Sequence, residues 1–289
     1  MTNPVPEVRT RILMGSLLAL MAAALLVGDW LLERETGSRL YPCLMACVLG
    51  MAALAAVEMN SMLAGRLRPP TWLTVGGCVC VLLAAWPAHL GWRADPLRDV
   101  FVVFVAFFLV AFLYEMARFR EPDGCVGRLA IATFTVAYLG LLPTFLVHLR
   151  WWPDPLAGPT ALLLVIFVPK CCDIGAYFTG RAFGKHRMTP MLSPKKTWEG
   201  LAGGVVLSML VAVGINRAMV PILGDDLRAA AFGIVVGLAG VLGDLAESML
   251  KRDGGKKDAA TMLPGFGGVL DVIDSILFAA PVAWVWLRG

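Results

Sequence analysis

The sequence predicts an all-α, polytopic integral membrane protein of about nine transmembrane helices, on three observations. Hydrophobic residues make up 58% of the 289 positions and charged residues only 16%, with a mean hydropathy of +0.75, which is not the balance of a water-soluble domain. The apolar residues gather into about nine runs, each near the roughly 20 residues that cross a hydrocarbon core about 30 Å thick. Trp30, Trp72, Trp92, Trp151, Trp152, Trp284 and Trp286 fall near the ends of these runs, where amphipathic rings favour the headgroup layer.

The first run, 12–32, follows Arg9 and Arg11 and lacks a small-residue cleavage site leading into a soluble domain, so it reads as an uncleaved span. The second covers 40–59. The third and fourth, 71–90 and 99–117, are separated only loosely by Arg93, Pro96 and Arg98. The fifth and sixth are 127–148 and 160–180, and the seventh, 201–222, opens on Gly200, Gly203 and Gly204. The eighth and ninth, 228–250 and 268–287, flank one polar loop.

With nine spans, the N-terminus and the even-numbered loops share a side that holds 16 of the 25 basic residues, including the cluster Arg181 to Lys196 and the run Lys251 to Lys257. Loops rich in Lys and Arg stay cytoplasmic. Seven cysteines without a CxxC pair sit mostly in apolar runs, where a thiol acts as a small hydrophobe, and the scattered His89, His148 and His186 form no ligand set. Zinc and a disulfide framework are therefore not expected. Residues 1–158 read as scaffold spans and 159–289 as the spans that carry the polar chemistry of a single membrane domain.

Three patches carry that chemistry. Lys170, Asp173 and Tyr177 share one helical face inside an apolar run, and ionisable groups there usually face a bundle interior or a wet cavity, although a self-neutralising Lys–Asp pair is an alternative. After this span, Arg181, Lys185, His186, Arg187, Ser193, Lys195, Lys196 and Thr197 crowd one loop ahead of Gly200. Hydroxyl and ammonium donors beside a helix start suit a phosphate; a topology signal that touches anionic lipid is the blander reading. Asp244, Glu247, Ser248 and Lys251 line a further helical face, and a hairpin brings Asp244 near Asp271 and Asp274. Gathered carboxylates need protons or cations, and few carboxylates plus substrate phosphates is how Mg²⁺ is held. Pairing with Lys251, Arg252, Lys256 and Lys257 is the alternative. Glycines at 265, 267 and 268 allow close backbone approach to a ligand.

The run Ser248-x-x-Lys251-Arg252, then Lys257-Asp258-x-Ala260, Leu263-Pro264, Gly267-Gly268, Asp271 and Asp274 resembles the signature of phosphatidate cytidylyltransferases, the CDP-diacylglycerol synthases. Asp173, Ala176-Tyr177, Gly180-Arg181 and Ser193-Pro194-Lys195-Lys196-Thr197-Trp198-Glu199-Gly200 resemble that family's other shared block. The two blocks span roughly 169–275; the N-terminal half matches only as a multi-span region. Phe266 stands where the family usually has histidine and Val272 where it has arginine, so neither position supplies that side chain's contact to substrate phosphate.

The resemblance implies transfer of CMP from CTP to phosphatidic acid with release of pyrophosphate, requiring Mg²⁺ and leaving room for a second metal or a monovalent cation. It links Asp244 and Asp271 to the metal centre first, then Asp274 and Asp258. It gives catalytic charge to Lys251 and Lys257, and phosphate contacts to Lys195, Lys196, Arg252 and these lysines. Ser193 and Thr197 fall to the nucleotide, and Asp173, Tyr177, Arg181, Ser248, Gly267 and Gly268 to the substrate side. It further implies a bacterial inner-membrane protein with cytoplasmic N-terminus and catalytic loops, membrane lipids as neighbours and no nucleic acid; a homodimer stays open. Another lipid phosphate or alcohol as acceptor is a near alternative. A transporter or channel conducting along Lys170, Asp173, Asp244 and Asp271 is the alternative from another class, although the charge gathers towards one membrane face.

Overall fold

A computed structural model of the chain describes residues 5–62, 67–87, 95–120, 124–152, 154–256 and 267–288, and leaves out the side chains of 5–19, 22 and 96. Arg66, His89, Trp92 and Arg93 lie outside the described residues, as do Lys257, Asp258 and Phe266 of the signature. The elements in chain order are α1 (Val5–Thr36), α2 (Pro42–Met62), α3 (Thr71–Leu83), α4 (Pro96–Arg118), α5 (Cys125–Val136), a π-helical turn (Ala137–Leu141), α6 (Leu142–His148), α7 (Ala157–Phe183), β1 (Arg187–Thr189), β2 (Ser193–Thr197), α8 (Trp198–Ala218), α9 (Asp226–Asp253) and α10 (Val269–Arg288).

Among the described residues seven helical stretches are long and apolar enough to cross a membrane: α2, α4, α5 through α6, α7, α8, α9 and α10. Of the nine expected runs, the third falls short. The third run yields only the 13 residues of α3, about 20 Å at 1.5 Å per residue and short of a bilayer core. Ala84, Ala85 and Trp86 are apolar but turn: Ala85 N donates to Leu82 O at 3.0 Å, and Trp86 N to Leu83 O at 3.2 Å. The Trp86 indole then fastens the turn by donating to Leu40 O at 2.9 Å. The first run is α1, whose side chains are described from Leu20 onward apart from Ala22, and it stands outside the seven. The fifth run continues through the π turn; Pro143 has no N–H for the Leu139 carbonyl, and a widened turn absorbs that loss.

The chain divides into two compact units, Met1–Thr144 with Asp258–Val272, and Phe145–Lys257 with Ile273–Gly289. In the first, buried polar groups tie helices together. Asp29 of α1 accepts from the Cys43 and Leu44 amides at the start of α2, at 2.9 and 2.8 Å. Asn60 Nδ2 donates to Thr74 Oγ1 at 2.7 Å, and Arg128 pairs with Glu115 at 2.7 Å.

In the second unit close glycine contacts set the helix positions. Small residues let membrane helices approach closely, where dispersion contacts hold them. A Cβ on Gly204 of α8 would lie 2.5 Å from the Cys172 carbonyl oxygen of α7, and one on Gly200 2.7 Å from that of Ala176. Along α9, Gly237 meets Ser208 of α8, Gly240 meets Pro169 of α7, and Gly243 meets the Asp274 carbonyl oxygen of α10. Between α7 and α8 the chain forms a small antiparallel hairpin, with Arg187 opposite Thr197 and Thr189 opposite Ser193.

Gly204→Leu is expected to lower stability in detergent by roughly 1–3 kcal/mol, the range for overpacking a filled contact. Denaturant titration of the purified protein measures it, and an unchanged midpoint would show that α7 and α8 tolerate separation.

Candidate active site

Four elements of the second unit bring their charged groups together. Lys170 of α7 donates to Asp274 of α10, Nζ to Oδ1 at 3.1 Å. Lys196 of β2 meets Asp244 of α9, Nζ to Oδ2 at 2.5 Å. One turn further along α9, Lys251 pairs with Glu247 at 2.5 Å, and the Glu247 side chain is wholly buried. Asp173 lies within electrostatic reach of Lys170, Lys196, Asp244 and Asp274. The carboxylates of Asp244, Glu247 and Asp274 each offer an oxygen, and these oxygens all lie within 4.8 Å of one another.

The hairpin aims Lys196 by ordinary strand geometry. Alternate residues of a strand face opposite sides, so Lys195 is exposed while Lys196 is half-buried against Asp244. Other residues of this block anchor the loop. Thr197 is the N-cap of α8, its Oγ1 accepting from Gly200 N at 3.1 Å. Glu199 accepts from the Lys185 and His186 amides at 3.1 and 3.2 Å and meets His186 Nδ1 at 2.6 Å. Both roles keep β2 in register with the start of α8.

The remaining sequence-predicted residues have the following surroundings. Tyr177 is 53% exposed, and its hydroxyl accepts from Arg181 at 3.3 Å. Ser193 and Ser248 are half-buried. Arg252 is exposed and donates to Lys256 O at 3.3 Å. Asp271 belongs to the first unit, where its Oδ2 accepts from Gly268 N at 2.7 Å. Gly267 takes a left-handed conformation, φ 96°, which a residue with a Cβ seldom adopts. Gly268 packs against the Glu58 carboxylate.

Two acidic residues emerge beyond those expected to bind metal or substrate. Glu247 lies on the helical stripe of Asp244, Ser248 and Lys251; a carboxylate at i+3 from a candidate ligand in an apolar helix was the available signal. Glu58, near the end of α2, is also buried, and its presence in an otherwise apolar run was its only mark in the sequence.

The donor set suits a hard divalent cation, which takes carboxylate oxygens and keeps positions for water or phosphate. The lysine ammoniums already balance the three clustered carboxylates. A polyanionic substrate drawing those ammoniums away would leave the carboxylates to a metal ion, so the same residues can neutralise both partners.

Comparison with known proteins places these features in a family context. Residues 9–288 match the cytidylyltransferase family. A phosphatidate cytidylyltransferase of Haemophilus influenzae is 38% identical over 183 residues, 61% of this chain and 62% of that protein. One from Pseudomonas aeruginosa is 36% identical over 245 residues, 75% of this chain and 88% of that protein. The uncharacterized protein YnbB of Escherichia coli is 36% identical over 230 residues, 72% of this chain and 74% of its own length. The match thus spans slightly less than two thirds of the Haemophilus protein but most of the Pseudomonas one.

Removing one member of a buried ion pair leaves the other uncompensated. Glu247→Ala is therefore expected to destabilise the protein by about 3–5 kcal/mol, whereas Glu247→Leu combined with Lys251→Met recovers much of that loss. Denaturant titrations of the single and double variants test this; a single variant as stable as the parent would contradict the pairing.

Proposed function

The chain belongs to the cytidylyltransferase family, and we propose that it transfers CMP from CTP to phosphatidic acid, giving CDP-diacylglycerol and pyrophosphate. The observation that carries this reading is the contact of Lys196 with Asp244, which joins the two sequence blocks into one charged cluster. The relatives named as phosphatidate cytidylyltransferases support it.

In this reaction a phosphate oxygen of the lipid attacks the α-phosphorus of CTP. A new P–O bond forms as the bond to the bridging oxygen of the β-phosphate breaks, and pyrophosphate leaves with the electron pair. Both reactants are anions, so the chief tasks are neutralisation and in-line alignment. Lys170, Lys196 and Lys251 supply positive charge from three elements. Lys195, Arg252 and Lys257 add phosphate contacts, Ser193 and Thr197 add hydroxyl contacts to the nucleotide, and Ser248 adds one on the substrate side. Asp244, Glu247 and Asp274 would hold Mg²⁺, which when bound would screen the reacting phosphates and orient the leaving group. Asp271 and Asp258 enter as further metal ligands, and Asp173, Tyr177, Arg181, Gly267 and Gly268 as substrate-side residues, on the sequence signature.

Phosphatidate keeps its acyl chains in the bilayer and its phosphate at the interface, while CTP is water-soluble. A site that gathers α7, α9 and α10 beside the hairpin between α7 and α8, on the side carrying most of the basic loops, serves both. This supports a bacterial inner-membrane protein with its catalytic loops in the cytoplasm.

Purified protein given phosphatidate, Mg²⁺ and CTP labelled at the α-phosphate is expected to place label in the lipid, and with γ-label to release it in pyrophosphate. Label in the lipid from γ-labelled CTP would mark a lipid kinase and overturn the proposal. In the same assay Asp244→Asn and Asp271→Asn are expected to lower turnover at least roughly 100-fold, the scale of one lost electrostatic contact. Phe266→His with Val272→Arg is expected to raise turnover by restoring phosphate contacts; a fall would show that both positions are adapted to a different acceptor.

A further inference from the structure

Helix α10 begins without a capping side chain of its own. Gly268 occupies the N-cap position, and the next two amides, Val269 and Leu270, both sit at buried residues. The first N–H groups of a helix have no partner within it and must be satisfied from elsewhere. One carboxylate from α2 satisfies both. Glu58 Oε1 accepts from Val269 N at 2.9 Å and Oε2 from Leu270 N at 2.8 Å, across 211 and 212 positions of sequence. Glu58 is only 5% exposed, and its Oε2 lies 2.5 Å from where a Cβ on Gly268 would be. The glycine is thus the residue that leaves room for a cap supplied by another helix.

The other arm of the cap comes from the third residue of the helix. Asp271 Oδ2 reaches back to accept from Gly268 N at 2.7 Å. A capping box normally places both arms on one segment, with a Ser or Thr at the N-cap and an acid three residues on. Here the acid is Asp271 and the missing N-cap side chain is replaced by Glu58. The division matters because a carboxylate in the first turn is drawn to every free amide there, by hydrogen bonding and by the positive end of the helix dipole.

We propose that Glu58 is a positioning residue for Asp271. By occupying the amides of Val269 and Leu270 it removes the donors that would otherwise pull the Asp271 carboxylate, and holds that carboxylate on Gly268 N in one orientation. The role rests on Asp271 belonging to the cytidylyltransferase site. An apolar-span glutamate and a signature glycine are then two halves of one device, since a side chain at residue 268 would displace Glu58.

The full-length protein in detergent or nanodiscs provides the test, with Glu58→Gln, Glu58→Ala, Gly268→Ser and the double variant Glu58→Ala/Gly268→Ser. Amide exchange at Val269 and Leu270 is read without metal or nucleotide; kcat and KM for CTP are read in the transfer assay. Glu58→Gln is expected to speed exchange of both amides and to lower kcat, each by roughly tenfold, with KM for CTP within about twofold. Gly268→Ser alone is expected to lose protection through collision with Glu58. In the double variant the serine hydroxyl has room to cap the Leu270 amide, so protection there should rise above that of Glu58→Ala. Unchanged exchange and kcat in Glu58→Gln, or a double variant no better protected at Leu270 than Glu58→Ala, overturns the positioning role while the transfer reading stands. A parent protein that transfers no CMP overturns the transfer reading and the positioning role with it, whatever the exchange rates.

Discussion

A carboxylate on a helix that crosses a bilayer has to find a cation, and that requirement organises the second unit of this protein. Ions in an apolar medium cost several kcal/mol each unless they are paired and hydrogen-bonded. Asp274, Asp244 and Glu247 meet the requirement with Lys170, Lys196 and Lys251, drawn from α7, β2 and α9. The pairings only work if the backbones approach closely, and the glycines of α8 and α9 permit that. Gly243 lets α9 touch the backbone of Asp274 itself, which sets the spacing of the carboxylates on the two helices.

Helix starts pose the same problem in a milder form, and the protein solves it repeatedly with side chains. Asp95, Thr197 and Asp225 cap α4, α8 and α9 from the adjacent residue. Asp29 and Glu58 cap α2 and α10 from a different helix. The second kind of cap fixes the helix start to its neighbour as well as satisfying its amides. Polar groups that look misplaced in an apolar sequence thus fall into two classes. Some hold helix starts, and others gather at the charged cluster.

Much of this was legible from residue pattern alone. Length and hydropathy give the helical membrane architecture, and the stripe Asp244, Glu247, Ser248, Lys251 follows from helical spacing. The shortness of α3 was hidden because Ala84, Ala85 and Trp86 are apolar yet turn, and hydropathy does not register a turn held by a tryptophan on Leu40. The β-hairpin was hidden in a run read as charge and hydroxyls. There Thr197 and Glu199 spend hydrogen bonds on the backbone, a use that composition cannot distinguish from phosphate binding. Glu58 could not be paired with Gly268 from sequence, because the partners are more than 200 residues apart. Asp271 and Asp274 look alike in the signature, yet one accepts from Gly268 N and the other from Lys170; only the turn of α10 separates their environments.

The clustered carboxylates of α9 and α10 have the donor set for a divalent cation, with the lysines as their counterions. Mn²⁺ binding, measured by electron paramagnetic resonance on the purified protein, addresses it directly. Affinity is expected to weaken at least roughly tenfold in Asp244→Asn and in Glu247→Gln, with no change in Asp253→Asn, which alters an exposed carboxylate on the same helix. Equal affinity in the parent and all three variants would contradict it.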